Sequence, residues 1–256
     1  HISVRQARFA EHPFFAELRP DRPLEQVLAF APRLAFWVMS FQDVLRLNAQ
    51  RVQDAELSRL MHRHQAEERG HDEWFFEDIA LLVGRPLTLT DVWSRTYEST
   101  RDASHTLIAE VLRPLDDRLR VVLVLTLEAT SHVFFTRAAR LVRAAGSPSR
   151  VKLKYFSDHH MAAEEQHEVF EEQLEAYLRA IELTPALREE GRALVDRVFA
   201  AFDAMFDGMR ARVESSTVRA PKGYPVKVFE RHRRVYPRSA PRVGNTHPLP
   251  RAGSAV

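Results

Sequence analysis

The residues best suited to chemistry lie in Asp158-His159-His160-Met161-Ala162-Ala163-Glu164-Glu165-Gln166-His167, where His160, Glu164 and His167 stand four and then three positions apart. On an α-helix these offsets return to one face each turn, so three metal-binding side chains project from a single stripe. A second stretch, Glu67-Glu68-Arg69-Gly70-His71, sets a Glu and a His three apart, and a lone carboxylate, Glu128, follows the apolar run Val121–Leu127. Burying Glu68, Glu128 or Glu164 as an isolated charge costs several kcal/mol even after relaxation, and a divalent cation offsets that cost directly. Imidazole with carboxylate suits iron, manganese or zinc. Six candidate ligands without sulfur (Glu68, His71, Glu128, His160, Glu164 and His167) fit two metals better than one closed zinc.

Helical elements must position these groups. Pro20 and Pro23 precede an apolar register over about 24–48 (Leu28, Leu34, Trp37, Val38, Phe41, Val44, Leu45), with Pro32 as a kink. A second helix is predicted over about 54–84. Its stripe runs Leu57, Met61, His64, Glu68, His71, Phe75, Asp78 or Ile79, Leu82, which turns Glu68 inward and leaves Glu67 off the stripe. Thr90 or Asp91 caps a third helix ending at Pro114. A fourth, about 115–146, carries Val121, Leu125, Glu128, His132, Phe135, Ala139 and Val142 on one side, where Glu128 is open to metal binding or to a pairing with Arg140. A fifth, about 150–181, aligns Leu153, Phe156, His160, Glu164, His167, Leu174 and Leu178 and sets Glu165 aside. A sixth runs from Pro185 to about Ser215. His64 and His132 lie on inward stripes as core histidines or as supports of the ligands, with direct ligation by either as the less favoured alternative. Trp74, Phe41, Phe75 and Phe135 are candidate pocket walls.

With no convincing strand and no internal repeat, the expected fold is an all-α bundle of about six or seven helices. Scarce Gly and abundant Leu, Ala, Arg and Glu agree with it. The chain divides into an N-terminal arm (1–22), a helical metal-binding domain (23–216) and a basic, proline-rich C-terminal extension (217–256). The extension carries a net charge of +8 and the rest −6, although the whole chain is only +2. Three aromatics and no recognisable binding module argue against a nucleic-acid role for this tail. Packing along the acidic body, service to a partner in a homodimer, or a mobile arm is the favoured reading. The absence of cysteine excludes disulfides, thiolate-bound zinc, iron–sulfur clusters and a cysteine nucleophile. No uninterrupted apolar run approaches the roughly 18 residues of a membrane span. A secretory leader is not seen either, so a cytoplasmic location is expected.

In order and spacing, these residues resemble the heme-oxygenase-like di-iron oxidases and oxygenases, whose helical bundle binds two irons in place of heme. That family sets a Glu and a His on one core helix, a single Glu on a second and His-x3-Asp-x2-His on a third. Here Glu68 and His71, Glu128, and His160-x3-Glu164-x2-His167 match, with 57 positions from His71 to Glu128 and 32 from Glu128 to His160. The resemblance spans about residues 25–215. Glu164 departs from it, standing where the family has Asp. The resemblance implies two Fe(II) ions, with Mn or Zn as substitutes, and O2 as co-substrate. It implies a small amino-acid-like or fatty-acid-like substrate that is N-oxygenated, desaturated or fragmented. It also implies that Glu68, His71 and Glu128 hold one iron and His160, Glu164 and His167 the other, with Glu128 able to bridge. Two other readings compete. A ferritin-like di-metal bundle would draw on Glu68/His71 and Glu164/His167 and require Asp43 from the first helix. A non-enzymatic helical protein would bind a partner through its basic tail.

Overall fold

Proline and glycine set the joints between the helices. A computed structural model describes residues 1–145, 153–164 and 180–218, with side chains as far as Val213, and all regular elements among them are helical. The chain opens with α1 (Ile2–Phe9) and α2 (Pro13–Ala16), followed by α3 (Leu24–Val27) and a 3-10 segment (Leu28–Leu34). The longer helices are α4 (Ala35–Ala49), α5 (Ala55–Glu67), α6 (His71–Val83), α8 (Glu98–Leu112) and α9 (Asp117–Ala144), with the single turn α7 (Leu89–Val92) before α8. Next come α10, described over Asp158–Glu164, and α11 (Pro185–Val218). The basic extension falls outside the described residues from position 219 onward, as do Glu165 and His167.

Several predicted helices are divided, each for a local reason. Pro32 lies inside the 3-10 segment, where its missing N–H and fixed φ keep the chain tightly wound until α4 starts at Ala35. The helix predicted over 54–84 is two helices: Gly70 at φ 94° breaks it, so Glu68 caps the end of α5 and His71 opens α6. Only glycine takes that backbone conformation without strain. Thr88, and not Thr90 or Asp91, caps α7 through a capping box with Asp91. The fifth helix starts later than position 150. Leu153–Ser157 forms a non-helical strap, and α10 begins at Asp158, with the Ser157 hydroxyl accepting the His159 N–H at 3.2 Å.

The first 22 residues are part of the body. Phe9, Phe14 and Phe15 are buried in an aromatic cluster with Phe206, and Gln6 donates to the Ala129 carbonyl at 3.0 Å. α9 runs through the centre, capped by Asp116, whose carboxylate accepts the Arg118 N–H at 2.9 Å. By length and composition alone α9 could cross a membrane, but 67% of that apolar stretch is buried inside the protein. Enclosure on several sides also explains why its buried set is wider than the single predicted stripe. Leu123, Val124, Leu127 and Phe134 are buried, whereas Leu125 is half-buried and His132 faces solvent. α8 packs between α4 and α11. Gly208 on α11 allows a close approach, since a Cβ there would overlap the Ser99 side chain.

Candidate metal centre

Four helices meet at the site. The last turns of α5 bring His64 and Glu68, four positions apart, to one face. The Gly70 break then reorients the chain so that His71 enters from the first turn of α6. Glu128 comes from the middle of α9, and His160 and Glu164 from α10. Gln42 on α4 donates its side-chain amide to the Glu68 backbone carbonyl at 2.7 Å, tying the end of α5 to the bundle.

The donors fall into two groups. His64, Glu68 and Glu128 place candidate ligand atoms within 4.8 Å of one another, and His71, His160 and Glu164 do the same. Within the first group, His64 Nε2 lies 3.0 Å from Glu128 Oε1. In the second, Glu164 Oε1 is 2.9 Å from His160 Nε2 and 3.6 Å from His71 Nδ1. Glu68 connects them, its Oε2 standing 3.0 Å from His71 Nδ1. Five of the six residues singled out in the sequence thus converge, and His167 lies outside the described residues.

His71 approaches His160 and Glu164 while remaining in contact with Glu68, so Glu68 lies between the two groups. The Gly70 turn puts Glu68 and His71 on separate helices but leaves them 3.0 Å apart. His64 is the residue the sequence reading underweighted. Its signal was the four-residue offset to Glu68. His132 is exposed on the far side of α9, near Ser3, Gln6 and Arg137. Asp43 is also exposed and pairs with Arg46 at 2.7 Å, so the first-helix carboxylate required by a ferritin-like centre does not reach the site. Arg140 is exposed, and Glu128 faces His64.

Glu128 and Glu164 crowd negative charge around the buried Glu68 carboxylate. Burial, reinforced by Glu128 and Glu164, pushes Glu68 well above the usual carboxylate range. Burial opposes protonation of His64, but the Glu128 carboxylate beside it, with Glu68 and Glu164 behind, outweighs that and lifts it to about 9. At His71 burial dominates over the same carboxylates and lowers the pKa. Carboxylates crowded beside imidazoles, one of which (His71) favours its neutral form, make a nitrogen and oxygen donor set that suits divalent cations.

Aromatic side chains enclose the ligands. Phe135 stacks on His160 at 3.7 Å between ring centroids, Trp74 stacks on His71 at 4.7 Å, and Tyr155 meets His160 edge-on at 4.9 Å. A cavity of about 50 Å3 adjoins them, with Trp37, Val38, Phe41, Phe134, Phe202 and Phe206 on its apolar side. Phe41 and Phe135 line it as expected. Trp74 and Phe75 do not: Trp74 sits behind His71, and Phe75 is wholly buried against Tyr155 at 5.1 Å. Among the described residues, no Lys or Arg lines the cavity. The sequence matches no known family model and no curated protein.

Proposed function

We propose that this protein is a non-heme di-iron enzyme that uses O2 to oxidise or oxygenate a small molecule, on a bundle of the heme-oxygenase-like kind. The observation that carries the reading is Glu68, one buried carboxylate standing between the group His64, Glu68, Glu128 and the group His71, His160, Glu164. These residues fit the metals: nitrogen and oxygen donors only, gathered in two groups of three within the core. His64, Glu68 and Glu128 would hold one iron, His71, His160 and Glu164 the other, and Mn or Zn can substitute in either. When bound, the irons supply the reducing electrons and the O2 chemistry.

The protein's own residues orient and enclose the reaction. Phe135, Trp74 and Tyr155 fix the ligating imidazoles against their flat faces and edges and keep bulk water away from them. The apolar wall of Trp37, Val38, Phe41 and Phe202 selects a carbon skeleton by shape. A cavity lined by carboxylates at one end, with no described Lys or Arg, gives no counter-charge to an anionic group held away from the metals. That condition falls equally on fatty-acid-like and amino-acid-like substrates, both of which carry a carboxylate.

An anaerobic Fe(II) titration of the metal-free protein tests the reading, with saturation near two equivalents as the expected result. Admission of O2 with a panel of fatty acids and amino acids should then show substrate-dependent O2 consumption. Failure to bind iron, manganese or zinc would exclude the proposed function.

A further inference from the structure

α10 delivers two of the donors, His160 and Glu164, and its position depends on what holds its beginning. Directly before it runs the non-helical strap Leu153–Ser157. Backbone N–H groups that are not in a helix need partners when buried. Here they are met by a side chain from another element: Asp78 on α6, fully buried, accepts the Lys154 N–H at 2.8 Å on one carboxylate oxygen and the Phe156 N–H at 3.2 Å on the other.

This clamp joins two elements that both carry metal ligands. Asp78 lies seven residues after His71 on α6, which is close to two turns, so the helix presents His71 to the site and Asp78 to the strap from the same side. The strap is packed as well as clamped, for Phe156 is fully buried and Tyr155 meets both Phe75 and His160. It passes straight into α10 through Ser157, whose carbonyl accepts the His160 N–H at 3.1 Å. The neighbouring ion pairs, Lys154 with Glu77 and Arg143 with Asp158, are exposed and contribute little to holding it.

We propose that Asp78 is a positioning residue for one metal subsite: by clamping the strap Leu153–Ser157 to α6, it sets where His160 and Glu164 stand relative to His71. The proposal rests on the di-metal reading and sharpens it, because among the described residues α10 contributes to the group His71, His160 and Glu164 and not to the group His64, Glu68 and Glu128. A residue that only supported the fold would affect both subsites. One that positions α10 affects one.

The test titrates metal-free wild type, Asp78→Asn and Asp78→Ala with Co(II), reading absorbance for each equivalent, and measures hydrogen exchange of the Lys154 and Phe156 amides without metal. Asn keeps one acceptor and loses the other; Ala loses both. The expected result is loss of protection at both amides in Asp78→Ala and at one of them in Asp78→Asn, with one metal equivalent bound as in wild type in both variants and the other weakened on the order of 10–100-fold, less in Asn than in Ala. Glu77→Gln should leave both equivalents unchanged. Where the Asp78 variants do not fold, Ser157→Ala, which removes only the hydroxyl at the junction, should show the same selective loss at smaller size. Equal weakening of both equivalents, or amides that lose protection with no change in either, would overturn the positioning role and leave the di-metal site standing. A wild type that takes up no Co(II) would overturn both.

Discussion

His64 and Glu128 meet 3.0 Å apart in the core, an imidazole and a carboxylate that are both almost fully buried. Burial disfavours the charged imidazole, yet the carboxylates around it raise its pKa to about 9, so metal-free protein carries this proton at neutral pH. A ligating imidazole must be neutral, and each cation bound there below about pH 9 displaces a proton. Apparent metal affinity should therefore rise about tenfold per pH unit between about pH 6.5 and 9, as measured by competition with a chromophoric chelator. The sign for metal-free stability is the reverse. A pKa raised above its unfolded value contributes stability below about pH 6.5 and loses it as pH rises through about 9, and the raised Glu68 acts in the same direction. Thermal unfolding should show metal-free protein weakening from neutral pH to pH 9 while the metal-loaded form holds.

His64 is as deeply placed as any donor, whereas His132 faces solvent on the far side of α9. His64→Ala should abolish one of two metal equivalents, exceeding the roughly 10–100-fold that loss of a merely supporting residue costs. His132→Ala should change neither metal content nor melting temperature. Metal analysis of the two purified variants separates the cases, and equal metal retention would remove His64 from the ligand set.

Helical periodicity made the inward positions of Glu68, His71, Glu128, His160 and Glu164 legible, because a buried stripe repeats every three to four residues whatever lies opposite it. Periodicity carries no information on how a helix ends. The stripe from Leu57 to Leu82 remains in register across Gly70, so the periodicity did not announce a left-handed residue that divides it and brings His71 in from the start of a separate helix. The strap Leu153–Ser157 was hidden for a related reason. Leu153 and Phe156 fit the helical stripe of α10, but a distant side chain, Asp78, takes their segment's backbone N–H groups and draws it out of the helix. The all-α class needed only composition and pattern, while the pairing of donors needed contacts between residues far apart in the chain.

Gly70 and Gly84 offer a matched pair. Both have positive φ, 94° and 74°, and both have open space where a Cβ would go, so substitution by Ala carries a backbone penalty alone. Gly70→Ala and Gly84→Ala should each cost about 1–2 kcal/mol by chemical denaturation. Only Gly70→Ala should also weaken metal binding, because the turn there aims His71. Identical metal affinities in the two variants would mean that the break is not what orients the ligand.

Glu164 has the reach to approach two imidazoles at once, 2.9 Å from His160 Nε2 and 3.6 Å from His71 Nδ1. Asp at this position, as in the family that the sequence resembles, would withdraw the carboxylate by one methylene while keeping its charge. If the longer side chain is matched to the spacing between α6 and α10, Glu164→Asp should weaken the metal held by His71, His160 and Glu164 by about tenfold, near the lower end of what perturbing a ligand's placement costs. Glu164→Gln keeps the length and removes the charge, and should weaken the same metal further, since a neutral amide is a poorer ligand for a divalent cation. The metal on His64, Glu68 and Glu128 should be unaffected in both. Stepwise Co(II) titration of the two variants reads the order directly: tighter binding with Asp than with Glu would show instead that α6 and α10 are spaced for the shorter acid.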